Sequence, residues 1–146
     1  ESYLLKELET LDELEINSDG SININIVPVV GTINTKSSYA EVVSVATAVL
    51  TTVNSYVVPF AKTAFLQRVS VNGENIALYS VLINATLIER KRTYFGAPLN
   101  ENFEFTGTLQ SAGLFLASGD TVTVKVIHNR PLTADFGARI QVIEIG

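Results

Sequence analysis

Valine, isoleucine and threonine supply 43 of the 146 residues, and they fall in short alternating runs broken at close intervals by turn formers. β-Branched side chains lose rotamer freedom in a helix and pack well on a pleated surface, so this pattern restricts the chain to β structure over most of its length. The clearest run follows Gly119-Asp120: Val122, Val124 and Val126 face one way, Thr121, Thr123 and Lys125 the other. Ile22, Ile24 and Ile26 alternate with Asn23 and Asn25, and Pro28 confines the end of that strand to an edge or a bulge. Phe65, Gln67, Val69 and Val71 are expected on one face of a further strand. Ala77–Ile83, Thr86–Tyr94, Asn102–Thr106 (Phe103 and Phe105 inward) and Phe136–Ile145 complete the series. Turn signals separate these runs at Asn72-Gly73, Asn84-Ala85, Gly96-Ala97-Pro98, Ser118-Gly119-Asp120 and Asn129-Arg130-Pro131.

One stretch reads two ways. Ser38-Tyr39-Ala40-Glu41 has capping-box spacing, and Val42, Val45, Ala46, Val49 and Leu50 follow at helical intervals. The Val and Thr content from Tyr39 to Val58 favours strand instead, as two pieces or one long bent one. Eight or nine short strands with such turns predict a two-sheet sandwich or a barrel. No fixed repeat period points to a propeller or solenoid.

Charge is distributed unevenly. Residues 1–20 hold seven acids (Glu1, Glu7, Glu9, Asp12, Glu13, Glu15 and Asp19) against Lys6, a net of −6; the remaining residues carry a net of +1. An acidic arm on a nearly neutral body is the pattern of an interaction segment. The arm also carries Leu4, Leu5, Leu8, Leu11 and Leu14. A spacing of three spreads them over about half the circumference of a short helix. A lone helix of this length is marginal in water, so its leucines require a surface, on the same chain or on a neighbour. The run Asn17-Ser18-Asp19-Gly20-Ser21 ends it. A calcium-loop alignment of that run fails, because Ile26 falls where the bidentate Glu belongs. The expected division is an acidic arm over 1–20 and a β-sandwich domain over 21–146.

Several function classes lose support from composition. There is no cysteine for a disulfide or thiolate–metal framework, and a net charge of −5 argues against a general nucleic-acid binder. No apolar run approaches the ~20 residues of a membrane-spanning helix, and no secretory leader is visible. The absence of Met is expected of a processed chain or a fragment. His128 is the only histidine; after the Val122–Ile127 strand it is expected on a loop rim, satisfied by water or backbone, with no nucleophile motif beside it. Glu101 and Glu104 flank Phe103 and are expected to face water. No glycine-rich phosphate loop occurs, and Gly113, Gly119 and Gly137 read as turn or bulge glycines. Catalytic residues, metal ligands and cofactors are therefore expected to be none. Asn84-Ala85-Thr86 is a glycosylation sequon, but a hairpin turn accounts for its Asn.

The sharpest local feature is Glu89-Arg90-Lys91-Arg92, followed by Tyr94-Phe95. In a strand, Arg90, Arg92 and Tyr94 share one face and Glu89 and Lys91 the other. Such a cluster can hold phosphate, stack a base, or receive an acidic arm, and it equally suits a solvated strand face. The net of −6 in the arm favours a protein partner or a neighbouring subunit over nucleic acid. Candidate partner-binding residues are thus Leu4, Leu5, Leu8, Leu11, Leu14, Arg90, Lys91, Arg92 and Tyr94.

Val58-Pro59-Phe60-Ala61-Lys62-Thr63-Ala64-Phe65-Leu66, Ile83-Asn84-Ala85-Thr86-Leu87-Ile88, Arg90-Lys91-Arg92-Thr93 and Ala117-Ser118-Gly119-Asp120-Thr121-Val122-Thr123-Val124-Lys125-Val126 form a further set of motifs. From Val58 to the C-terminus, on these segments, the chain resembles a β-sandwich domain of structural proteins of tailed bacteriophages. About three-fifths of the chain is covered. Ala85 departs from the pattern, since a hairpin of this kind more naturally carries Gly there. The resemblance implies an all-β, antiparallel jelly-roll-like sandwich of about eight strands. The arm and its short helix, read from charge and leucine spacing, lie ahead of it among the first 57 residues, which the resemblance does not cover. The resemblance further implies a non-enzymatic virion protein, a capsid decoration or cement protein that forms a homo-oligomer. Its partners would be other virion proteins, the major capsid protein first, with no nucleic acid and no membrane. The alternative is a tail- or fibre-associated module that binds carbohydrate, for which Tyr94 and Phe95 are the available aromatics.

Overall fold

The computed structural model describes residues 32–106 and 112–146, and the backbone of two short strands nearer the N-terminus. In chain order the strands are β1 (Leu14–Ile16), β2 (Ile22–Ile24), β3 (Ile33–Val45), β4 (Thr51–Val57), β5 (Thr63–Gly73), β6 (Leu78–Ile83), β7 (Thr86–Arg92), β8 (Asn100–Glu104), β9 (Leu114–Leu116), β10 (Thr121–Ile127) and β11 (Ala134–Ile145). All pairings are antiparallel, and no helix occurs among the described residues. One sheet has the order β4-β10-β6-β7; the other has β3-β11-β5-β8, with β9 also on β5. They face each other across one apolar core, as in a β-sandwich.

The alternation read from the sequence explains the core. Val122, Val124 and Val126 are buried from β10, and Phe136, Ala138, Ile140 and Val142 from β11. Phe103 is buried from β8, and Phe105 packs against the core. The ambiguous stretch from Tyr39 to Val58 is two strands, β3 and β4, on opposite sheets.

β5 departs from the expected face. Ala64, Leu66, Val69 and Val71 point inward, whereas Phe65 and Gln67 do not. Arg68 pairs with Gln141 and Leu66 with Val142, so Gln67 is one residue more than the partner strand can match. Such a bulge reverses the phase of alternation, which a uniform period of two misses. Toward the N-terminus, Leu14 opens strand β1 opposite Ile24, instead of closing the expected helix. The helix itself, with Leu4, Leu5, Leu8 and Leu11, lies outside the described residues, as do Ile26 and Pro28.

The β6–β7 hairpin has a two-residue loop, with φ of 50° at Asn84 and 72° at Ala85. Positive φ at both positions is the type I′ turn, whose twist suits a hairpin. Ala85 is therefore held where a Cβ is unfavourable. Ala85→Gly is expected to raise stability by about 0.5–1 kcal/mol, part of the strain relief being offset by the freer unfolded chain. Urea unfolding with an unchanged slope measures it; a lower midpoint would refute it.

Asn84 has a second task. Its Oδ1 accepts from Thr121 N at 2.9 Å, and its Nδ2 donates to Asp120 Oδ1 at 2.8 Å. Asp120 Oδ2 in turn accepts from Ala117 N at 2.8 Å. These donors, Asn84 before Ala117, hold the Asp120 carboxyl below its ordinary value near 3.8. A lowered folded-state value means that the charged form supports folding above that ordinary value, and that the support fades as pH falls through the lowered one. The melting temperature should thus fall more steeply below about pH 4 in the native chain than in Asp120→Asn. Parallel acid profiles for the two would exclude this.

Candidate functional site

β7 is an edge strand, and its register decides where the basic cluster points. Val81 and Tyr79, both buried, lie opposite Glu89 and Lys91, so those two face the interior side. Ser80 and Leu78 lie opposite Arg90 and Arg92, which puts both guanidinium groups on the outer face, as the strand alternation predicts. β10 adds a third cation, because Lys125 pairs with the other side of Ser80. Lys125, Ser80 and Arg90 therefore form one cross-strand row, and Ile127, Leu78 and Arg92 the next. No Asp or Glu occurs in β4, β6 or β10. The outer face of this sheet is cationic.

Lys91 is not part of that face. Its Nζ donates to Asn102 O at 2.9 Å, lies 3.9 Å from Glu101 Oε1 and sits 5.7 Å from the Phe103 ring centroid. It closes the seam between β7 and β8, one on each sheet. Glu104 lies opposite Arg68 on β5 and pairs with it at 2.6 Å. Glu101, opposite buried Val71, is on the other side of β8. The two carboxylates thus occupy opposite faces of one strand and do not converge.

Beside Arg92 the strand ends form a cavity of about 320 Å³. Ile76, Leu78 and Ile127 line it with apolar surface, and Arg92, Asn129 and Arg130 supply its polar groups. No carboxylate lines it. His128 lies on its inner side, only 2% exposed, and not on an open rim as its position after the strand predicts. The loop after β10 turns inward because Ala48 N donates to His128 O at 2.8 Å and Thr47 Oγ1 donates to Arg130 O. The imidazole Nε2 then donates to Val45 O at 2.8 Å, and Nδ1 accepts from Arg130 N at 3.3 Å. Both ring nitrogens are engaged by backbone, and the ring packs 5.3 Å from Phe136. His128 is a strut that fixes the backbone carrying Arg130.

The outer lip is aromatic. The Arg130 guanidinium stacks 4.8 Å from the Phe95 ring centroid, and Phe95 itself is 71% exposed. Tyr94 is exposed beside it, just past the end of β7, while Thr93 is anchored by its N–H to Ala77 O at 3.0 Å. A guanidinium on an aromatic face keeps its edge free for a second partner. Arg130, stacked in this way, and Arg92 beside apolar walls suit a segment that presents carboxylates next to aliphatic side chains. Among the described residues no group of three His, Asp or Glu is placed to hold a metal ion.

A polar cluster at the opposite end has a different character. Glu144, buried, accepts from Tyr56 Oη and lies 3.6 Å from Lys62 Nζ. Burial first, then the adjacent Glu144, pushes the Tyr56 hydroxyl well above the usual phenol range. The group ties β4, β11 and the β4–β5 connection together, as a closed internal contact.

Of the residues expected to bind a partner, Arg90, Arg92 and Tyr94 are exposed at one edge, Lys91 is engaged within the chain, and Leu14 is in β1. Arg130, Lys125, Ile76 and Ile127 went unread. Only the strand order β10-β6-β7 brings them beside Arg92, and no local pattern carries that order. No family model matches the chain, and comparison with curated proteins and with solved structures gives no match.

Proposed function

We propose that the protein is a non-enzymatic structural component of a tailed-bacteriophage virion, a capsid decoration or cement protein that contacts the major capsid protein and further copies of itself. The observation that carries this reading is the segregation of charge: a leucine-rich leader of net −6 on a body whose one sheet face and adjoining cavity are cationic. Such a molecule is suited to multivalent attachment, in which many repeated weak contacts add through effective concentration. Exposed charge pairs give only about 0–1 kcal/mol each, so they select geometry while apolar contacts supply affinity.

The strand orders support a jelly-roll reading of the sandwich. With β8 and β9 counted as one interrupted strand, and β3 as the first of eight, the two sheets run 1-8-3-6 and 2-7-4-5. That order suits the viral-capsid type of double-sheet roll. The resemblance of Val58 to the C-terminus to phage structural proteins supports the same setting.

Fractionated virions of the encoding phage test the proposal: the protein should co-purify with heads, and antibody labelling should decorate them at many sites. Absence from purified virions refutes it. Exposed Tyr94 and Phe95 beside the cavity favour a second reading, a carbohydrate-binding module of the tail or fibres. Labelling confined to the tail tip, with glycan binding lost in Tyr94→Ala, would establish that instead.

A further inference from the structure

The leader joins the sandwich at one end, and the arginine cavity lies at the other. Ile33 pairs with Ile145 at the first end, where Gly146 N also donates to Thr32 O. Val45, bonded to His128, marks the far end of the same strand. Thirteen residues of strand separate the two, roughly 40 Å at about 3.3 Å per residue.

The β1–β2 pairing shortens the reach of the leader. Leu14 is held opposite Ile24, so the residues between them add almost nothing to its span. From Ile24 to Thr32 the chain covers at most about 29 Å when fully extended. Leu14 therefore stays short of the cavity of its own chain. The leading segment 1–13 has the length to cover the remainder, but only by running back along the whole sandwich together with the linker, which fixes both at a cost in chain entropy. A second copy stacked end to end brings its cavity next to the root of the leader.

We propose that the acidic, leucine-bearing leader of one copy docks in the Arg92–Arg130 cavity of the next, so that copies associate head to tail. The assignment deepens the virion reading above and rests on it. Chemistry and geometry agree: the cavity offers guanidinium groups beside Ile76, Leu78 and Ile127, and the leader interleaves Glu7, Glu9, Asp12 and Glu13 with Leu8 and Leu11. A contact between two different surfaces is heterologous; it closes into a ring where the rotation permits and otherwise extends.

Sedimentation of the full chain at micromolar concentrations tests the assignment. The wild-type chain should self-associate, and more weakly as salt rises. Arg92→Glu with Arg130→Glu should weaken association at least about tenfold, and Glu7→Lys with Glu9→Lys and Glu13→Lys should do the same. An equimolar mixture of the two variants should recover association, since the reversed leader then meets the reversed cavity. Both variants should melt within about 2 °C of the wild-type chain; of the cavity pair, Arg92 is exposed and Arg130 half-buried outside the apolar core. A wild-type chain that stays monomeric overturns the proposal. So does a cavity variant that associates normally, or one that melts lower while its mass is unchanged, the mark of a leader docked on its own chain. Head binding that persists without self-association removes this inference and leaves the virion role standing.

Discussion

Phe136→Ala is expected to lower the free energy of unfolding by about 3–5 kcal/mol, the range for truncating a fully buried aromatic. Three contacts make this site intolerant. The ring meets Tyr79 edge to face at 6.1 Å and His128 at 5.3 Å. Its third neighbour is the backbone of Gly73, where a Cβ would fall 2.2 Å from Phe136 Cδ1. The ring fills the space that this glycine leaves open, so its removal leaves a void bounded by two strands of one sheet that cannot collapse into it. The loss should extend to the cavity, because His128 would have no ring to lie against and Arg130 N would lose a fixed acceptor. Urea unfolding measures the first effect, and faster amide exchange at Arg130 the second. A cost below about 1 kcal/mol would show that the core repacks around the gap.

Gly113→Ala is the second large effect, at about 3 kcal/mol. Gly113 has a φ of 110°, and an added Cβ would lie 2.4 Å from Leu66 O. The obstacle is a backbone carbonyl of β5, which cannot rotate away as a side chain would. Relief requires moving the start of β9, whose Leu114 pairs with Leu66 and whose Leu116 is buried. A melting temperature lowered by roughly 10 °C is the expected signature. A shift of less than 2 °C would mean that this segment sits elsewhere.

The strands of this protein were legible because buried alternation is local information. Val122 to Val126 and Phe136 to Val142 declare their inner faces within a few residues, and the structure places them so. Reading failed where a single residue changed the phase, as at Gln67. It failed again where a neighbour distant in sequence set the environment, as at His128, drawn inward by Val45 and Ala48. The candidate site shows the same division. Arg90 and Arg92 were visible as a basic run, and strand periodicity gave their shared face. Arg130 and Lys125 could not be joined to them without knowing that β10 and β7 flank β6. Lys91 illustrates the converse: nothing in the run separates a lysine that seals a seam from one that meets solvent.

The pairing of β3 with β11 also bears on how the molecule is made. The first long strand of the described body finds its hydrogen-bonding partner in the last, close to a hundred positions later, with Ile33 against Ile145. Pairing across such a separation is slow, since a long stretch of chain must be ordered before the contact rewards it. During synthesis Ile33–Val45 would leave the ribosome unpaired, and its one partner among the described strands becomes available only after Ala134–Ile145 emerges. The native sheet must therefore wait for β11, and crowded nascent chains would be most vulnerable to mispairing along that one strand.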